Sequence, residues 1–253
     1  MTLAAETPSY AGLPVVAVVL TVGVLALVQS VFGVGLLVFG TPTLLLLGLP
    51  FELVLAYLLP CSIIVSLLQV ATSGGLTLEP IRKKFLAITA PSVLVATAVA
   101  LLFGSPGGIR AFVGGMLILT AAIRLGRLQS VLASLIRRHL RLFMFGLGLV
   151  HGLSNLGGGI LTVIVGASYT DKESIRRHIA FAYGAMACIQ LAVVFLTTRP
   201  GLDARLWLLL PLLAGGVYLL VGQRVFRHAG HRPYQVGLTA MIMCFGLLLV
   251  TNP

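Results

Sequence analysis

"HGLSNLGGGILTV", residues His151 to Val163, occupies the middle of 29 consecutive uncharged residues, Leu142 to Thr170. A run of that length can enter a lipid bilayer, yet its centre holds Ser154, Asn155 and three glycines. Glycine costs a helix about 1 kcal/mol relative to alanine, and backbone freed by a helix break needs partners that lipid cannot supply. Such a break is either a packing device or the working part of the molecule. The rest of the chain decides between them.

Hydrophobic residues make up 58% of the 253 and charged residues 9%, and the mean hydropathy is +1.10. This profile excludes a soluble domain and marks an all-α polytopic membrane protein. Uncharged runs of spanning length recur at Leu53–Leu78, Phe85–Ile109, Ile179–Thr198, Leu206–Gln223 and Pro233–Pro253, with no soluble linker between them. Residues 1–253 therefore read as one transmembrane domain. The opening "MTLAAETPSYAGLP" has no basic n-region, so no cleaved signal peptide is expected. The net charge of +11 is assigned to cytoplasmic loops, where Lys and Arg set orientation, and not to nucleic acid. Cys61, Cys188 and Cys244 lie in apolar runs without metal-ligand spacing and are expected as buried helix cysteines. No metal, cofactor or disulfide framework is implied.

An internal repeat organises the chain. "SVFGVGLL" (Ser30–Leu37) matches "SNLGGGIL" (Ser154–Leu161), aligning Gly33 with Gly157 and Gly35 with Gly159. "ELVLAYLLPCSIIVSLLQ" matches "ESIRRHIAFAYGAMACIQ", pairing Glu52 with Glu173 and Gln69 with Gln190. Pro91 then pairs with Pro211 and Gly115 with Gly237, in the same order. Residues 7–126 and 138–253 form the two repeats, each a glycine-broken helix pair, re-entrant or discontinuous, followed by three spans.

Charge counting chooses between re-entrant and crossing segments. With eight crossings, the Lys and Arg divide 10 against 7; with both broken segments re-entrant, six spans remain and the division is 14 against 3. Only the second obeys the positive-inside rule. The predicted topology has both termini periplasmic, the segment 124–141 cytoplasmic, and the two repeats inverted. The first broken segment, Thr7–Phe51, is 45 residues long, enough for two complete spans, so its re-entrance is the weaker part of the scheme.

Discontinuous helices at the interface of inverted repeats are where secondary transporters hold substrate. Helices beginning near Gly35 and Gly159 would aim free N–H groups at one central point and attract an anion, with no Lys or Arg at the centre of a span. Gly33, Gly35, Gly157, Gly158 and Gly159 are expected to keep backbone open to substrate. Ser30, Ser154 and Asn155 are expected as side-chain donors, with Gln29, Gln69, His151 and Gln190 around them. Gly114, Gly115, Gly215 and Gly216 are read as close-packing residues. Glu52 and Glu173 are placed in helix first turns, where the dipole favours acids.

Two glycine-rich segments about 124 residues apart, each opening a four-element half of an apolar chain, resemble the sulfite exporter TauE/SafE family. The resemblance covers essentially the whole chain and rests on "GLSNLGGGILTV" and "SVFGVGLLVFGTP". The family's fuller first glycine cluster is here reduced to Gly33-Val34-Gly35, and no proline follows the second. Membership implies an inner-membrane secondary transporter exporting small sulfur-containing anions, sulfite or organosulfonate. The alternatives are an anion channel of the same architecture and a permease for another small substrate. No nucleophile–base set or paired carboxylates occur in the spans, so no enzyme is expected. The expected partners are the bilayer, the anion, a coupling ion (proton or sodium) and, in a homo-oligomer, further copies of the chain.

Overall fold

The computed structural model describes residues 15–73, 80–125, 129–166, 168–169 and 171–228, and all regular structure among them is helical. The helices are α1 (Val15–Phe32), α2 (Leu36–Leu46), α3 (Phe51–Thr72), α4 (Pro80–Phe103), α5 (Pro106–Leu125), α6 (Gln129–Arg138), α7 (Leu140–Ser154), α8 (Gly158–Gly166), α9 (Lys172–Thr197) and α10 (Ala204–Val217). A π-helical turn, Tyr218–Gly222, carries α10 into α11 (Gln223–His228). Five helical stretches are long and apolar enough to cross a membrane: α1, α3, α4, α9 and α10 through α11. On α10, Leu208, Leu209 and Leu212 are 59%, 60% and 72% exposed, a leucine face suited to lipid and not to water.

Both glycine clusters break helices, at Gly33–Gly35 and at Asn155–Gly157. The two pairs are unequal. At 1.5 Å per residue, α1 spans about 27 Å and α7 about 22 Å, whereas α2 and α8 reach only about 16 and 14 Å. The first broken segment thus contains a helix of spanning length, unlike the second. Of the six expected spans, Pro233–Pro253 lies outside the described residues, as do Gly237, Cys244 and the terminal residues 1–14.

Side-chain contacts fix the helix directions. Arg176 and Arg177, near the start of α9, donate to Ser73 Oγ (3.0 Å) and Ser73 O (3.3 Å), just past the end of α3. At the opposite end, the Tyr57 hydroxyl of α3 accepts from the Asp203 N–H (3.1 Å), and the Trp207 indole donates to Ala56 O (3.0 Å). Helices α3 and α9 are therefore antiparallel. Along α7, Met144, Gly148 and Gly152 meet successively later residues of α4, from Thr89 to Thr97. Those two helices run parallel, as do α1 and α10, where Gly23 lies beside Leu213 and Ser30 against Gly222.

The short helices then turn back. Leu45 and Leu49, at and beyond the end of α2, share a cavity with Ala100, Gly104 and Ile109 at the Glu52 end. Ile164, Val165 and Tyr169, at and beyond the end of α8, line another with Arg82, Phe85 and Met144 at the opposite end. Thus α1–α2 is a hairpin opening at the Glu52 end, and α7–α8 is a hairpin opening at the Arg82 end. Every residue of α2 from Leu36 to Leu45 is buried except Thr43, as an all-round apolar helix requires.

Acidic residues start α3, α9 and α10. Asp171 caps α9 by accepting from Ser174 N–H (2.7 Å), which holds its carboxyl below the usual value. Asp203 caps α10 by accepting from Arg205 and Leu206 N–H. Glu52 and Glu173 occupy first turns as expected.

Two arginines assigned to loops are instead buried in helices. Arg82 of α4 and Arg176 of α9 are 2% and 3% exposed. The Arg82 guanidinium lies 4.8 Å from the centre of the Phe181 ring and that of Arg176 3.5 Å from Phe226, so each cation is held on an aromatic face. Cys61 is buried as expected, whereas Cys188 is exposed on α9. Among the expected packing glycines, Gly215 meets Ile64 (2.9 Å), while Gly114, Gly115 and Gly216 have no described atom within 4 Å of an added Cβ.

Candidate functional site

The tip of the second hairpin meets the flank of α2 inside the bundle, whereas the tip of the first, at Gly33 and Gly35, lies against α9 and its own α1. Asn155 ends α7 in the left-handed conformation (φ 64), the usual way to terminate a helix sharply. Its side-chain amide crosses to the other hairpin and donates to Thr41 Oγ1 of α2 (2.9 Å). Three residues on, a Cβ at Gly158 would overlap the Tyr183 hydroxyl and lie 2.5 Å from Val38 of α2. The first turn of α8 thus sits in the angle between α2 and α9, at a separation only glycine permits. The first N–H groups of a helix have no intrahelical partner, and Gly158 is buried.

His151 is the centre of the second break. Its carbonyl accepts from Asn155 N–H (2.7 Å) and from Gln190 Nε2 of α9 (3.2 Å). Its Nδ1 accepts from Gly157 N–H (3.3 Å), and its ring lies 5.7 Å, centre to centre, from that of Tyr183. Ser154 donates to Val150 O (2.6 Å) and accepts from Leu156 N–H (3.2 Å). Gly159 gives its carbonyl to Thr162 Oγ1 (2.8 Å). His151, Ser154, Asn155 and Gln190 are all fully buried.

The first break is built by similar means. Ser30 donates back to Ala26 O (2.6 Å), as Ser154 does to Val150. Gln69 of α3 donates to Gln29 O (2.8 Å) and Ser30 O (3.2 Å) in the last turn of α1, adding a bond to the carbonyl that Gly33 N–H also reaches, as Gln190 does at His151 O of α7. The Gln29 side chain donates to Ser62 O, Ser62 Oγ and Ser66 Oγ at 3.1 to 3.4 Å. Gly33 adopts φ 77 and its Cα faces Ile179 of α9, 3.1 Å from an added Cβ. A Cβ at Gly35 would lie 2.7 Å from Gln29 N, so the chain doubles back onto α1 there.

The predicted residues therefore form two groups. His151, Ser154, Asn155, Gly157, Gly158, Gly159 and Gln190 gather at one break, and Gln29, Ser30, Gly33, Gly35 and Gln69 at the other. The bridges between hairpins are Asn155–Thr41 and Gly158–Val38. Both serine protons are committed to their own helices, and both glutamine amides to helix ends. Thr41, Tyr183 and the buried Arg176 were not anticipated from the sequence. For Tyr183 a signal existed: it precedes Gln190 by seven residues, two helical turns, and so shares its face. Among the described residues, no group of three or more His, Cys, Asp or Glu is placed to hold a metal. No family model, curated protein or solved structure matches the chain.

Proposed function

We propose that the protein is a secondary transporter that exports a small sulfur-containing anion, sulfite or an organosulfonate, across the cytoplasmic membrane by alternating access. In this reading residues 7–126 and 138–253 are inverted repeats. Paired packing supports it: α1 lies on α10 as α7 lies on α4, α3 touches α10 as α9 touches α4, and α3 packs on α9. The hairpins open at opposite ends, as inversion demands. The observation that carries the proposal is the packing of the α8 start against the first two turns of α2 deep in an apolar bundle, linked through Asn155 and Thr41. Helix N-termini there attract a monoanion.

Such a site meets one negative charge better than two. Calorimetric titration of the purified protein with sulfite, methanesulfonate, sulfate and a cation control tests the proposal. Sulfate is expected to bind more weakly than the monoanions, and the cation not at all. Tighter sulfate binding, or binding of the cation alone, overturns the mechanism.

The proposed topology puts both termini in the periplasm. Arg82, Lys83, Lys84, Lys172, Arg176 and Arg177 lie at the Ser73 end, and Arg110, Arg199 and Arg205 at the Glu52 end, an asymmetry that supports a cytoplasmic Ser73 end. Cysteines introduced singly at positions 2 and 132 are expected to be labelled from outside and protected, respectively. The reverse result rules out the re-entrant arrangement.

A further inference from the structure

Four buried polar atoms around the second break have no partner among the described residues: His151 Nε2, Tyr183 Oη, Asn155 Oδ1 and Gln190 Oε1. Buried polar atoms without partners are few in native proteins and call for a missing water, ion or ligand. All four belong to His151 or to residues that bond or face it. Gln190 and Asn155 both bond the His151 carbonyl, the Tyr183 ring faces the His151 ring, and the Tyr183 hydroxyl abuts Gly158 at the start of α8.

Their chemistry divides evenly. A protonated imidazole has no acceptor nitrogen. Because Nδ1 of His151 accepts from Gly157 N–H, the ring is neutral and its hydrogen is on Nε2. Tyr183 O–H and His151 Nε2–H, the latter beside the Gln190 side chain, are the donors with no partner at hydrogen-bond distance. Asn155 and Gln190 each place one amide N–H, on Thr41 and on the His151 carbonyl, and their carbonyl oxygens are two acceptors without a partner. An anion with oxygens alone would satisfy the donors and the α8 N–H groups but leave both acceptors buried and unpaired.

We propose that this cluster is the selective part of the anion site, with His151 and Tyr183 as its side-chain donors and Asn155 and Gln190 as acceptors for a hydrogen carried by the substrate. The preferred ligand is then a small oxyanion of single charge that still bears an ionisable hydrogen, such as hydrogen sulfite, in preference to a fully ionised sulfonate of the same size. This deepens the transporter reading above and rests on it. A site built to hydrogen-bond a substrate group discriminates strongly against an analogue lacking it, because its own buried groups lose their partners.

The test is calorimetry on the purified full-length protein at one pH, below the second ionisation of sulfite, with hydrogen sulfite and methanesulfonate as probes. Hydrogen sulfite is expected to bind about tenfold or more tightly than methanesulfonate, the equivalent of one buried hydrogen bond. Tyr183→Phe is expected to weaken hydrogen sulfite about 10- to 100-fold, the range for one bond to a charged group, with an unchanged melting profile. Equal affinity for the two anions overturns the proposal, as does unchanged binding by a folded Tyr183→Phe. If Tyr183→Phe fails to fold, the comparison of the two anions on the wild-type protein decides alone. If the wild-type protein binds neither anion, the transporter reading itself fails.

Discussion

Gly158→Leu is expected to abolish the proposed transport while the protein still reaches the membrane. The first atom of the new side chain already overlaps the Tyr183 hydroxyl and lies 2.5 Å from Val38 Cγ2 and 3.1 Å from Tyr183 Cζ. The rest of a leucine can be placed only by driving α8 away from α2 and α9, which separates the two hairpins and misplaces the α8 N-terminus. Gly158→Ala tests the same contact more gently and is expected to cost about 1–3 kcal/mol of stability, the usual range for overpacking. Sulfite flux in proteoliposomes measures the first effect, and melting in detergent the second. Normal flux by Gly158→Leu would place the substrate path elsewhere.

The second large effect is structural. Gly152→Leu is expected to cost about 3 kcal/mol or more, read as a large drop in melting temperature and loss of folded protein. An added Cβ at Gly152 would lie 2.6 Å from Ala96 Cβ, 2.8 Å from Val93 O and 2.9 Å from Thr97 N. Two of those atoms are α4 backbone, which cannot swing aside. Gly148, one turn earlier, presses equally on Thr89 O (2.8 Å) and on Ser92. Together they make a small-residue seam through which α7 and α4 approach closely. Gly146, on the same helix, has no described atom within 4 Å, so Gly146→Leu is expected to leave the melting temperature nearly unchanged.

That contrast shows what the sequence could and could not convey. Hydropathy and charge revealed the class of protein, and the poor helix propensity of the glycine clusters located both breaks, because these are local properties. Which glycines pack closely was not legible. Gly114 and Gly115 look like packing residues, yet Gly148 and Gly152 do the packing, and the difference lies in Ser92 and Ala96 about fifty residues away. The same holds for the site. Ser30, Ser154, Gln69 and Gln190 are where the breaks need them, but their hydrogen atoms go to helix carbonyls, since a hydroxyl or amide beside an open helix end finds an acceptor there before it finds a ligand. Arg82 and Arg176 read as loop cations because Phe181 and Phe226, which cover them, are distant in sequence or on another element. Tyr183 sits in a mostly apolar run, and only its helical register with Gln190 ties it to the break.

The pairing of α1 with α10 also bears on the birth of the molecule. A chain emerges from the ribosome at about 5–20 residues per second. Helix α1 is complete at Phe32 and its partner α10 begins at Ala204, so the first hairpin waits about ten to thirty seconds for the surface that covers it. During that wait it has α3, bonded to it through Gln29 and Gln69, but the face that α10 will cover lies against lipid. Before Gln29, α1 offers lipid no polar side chain except Thr21. Helix α7, which carries Arg141, His151 and three glycines, emerges after α4 and can dock at once. The half made first has to be at home in the bilayer with few companions, and the half made second inserts beside helices already in place.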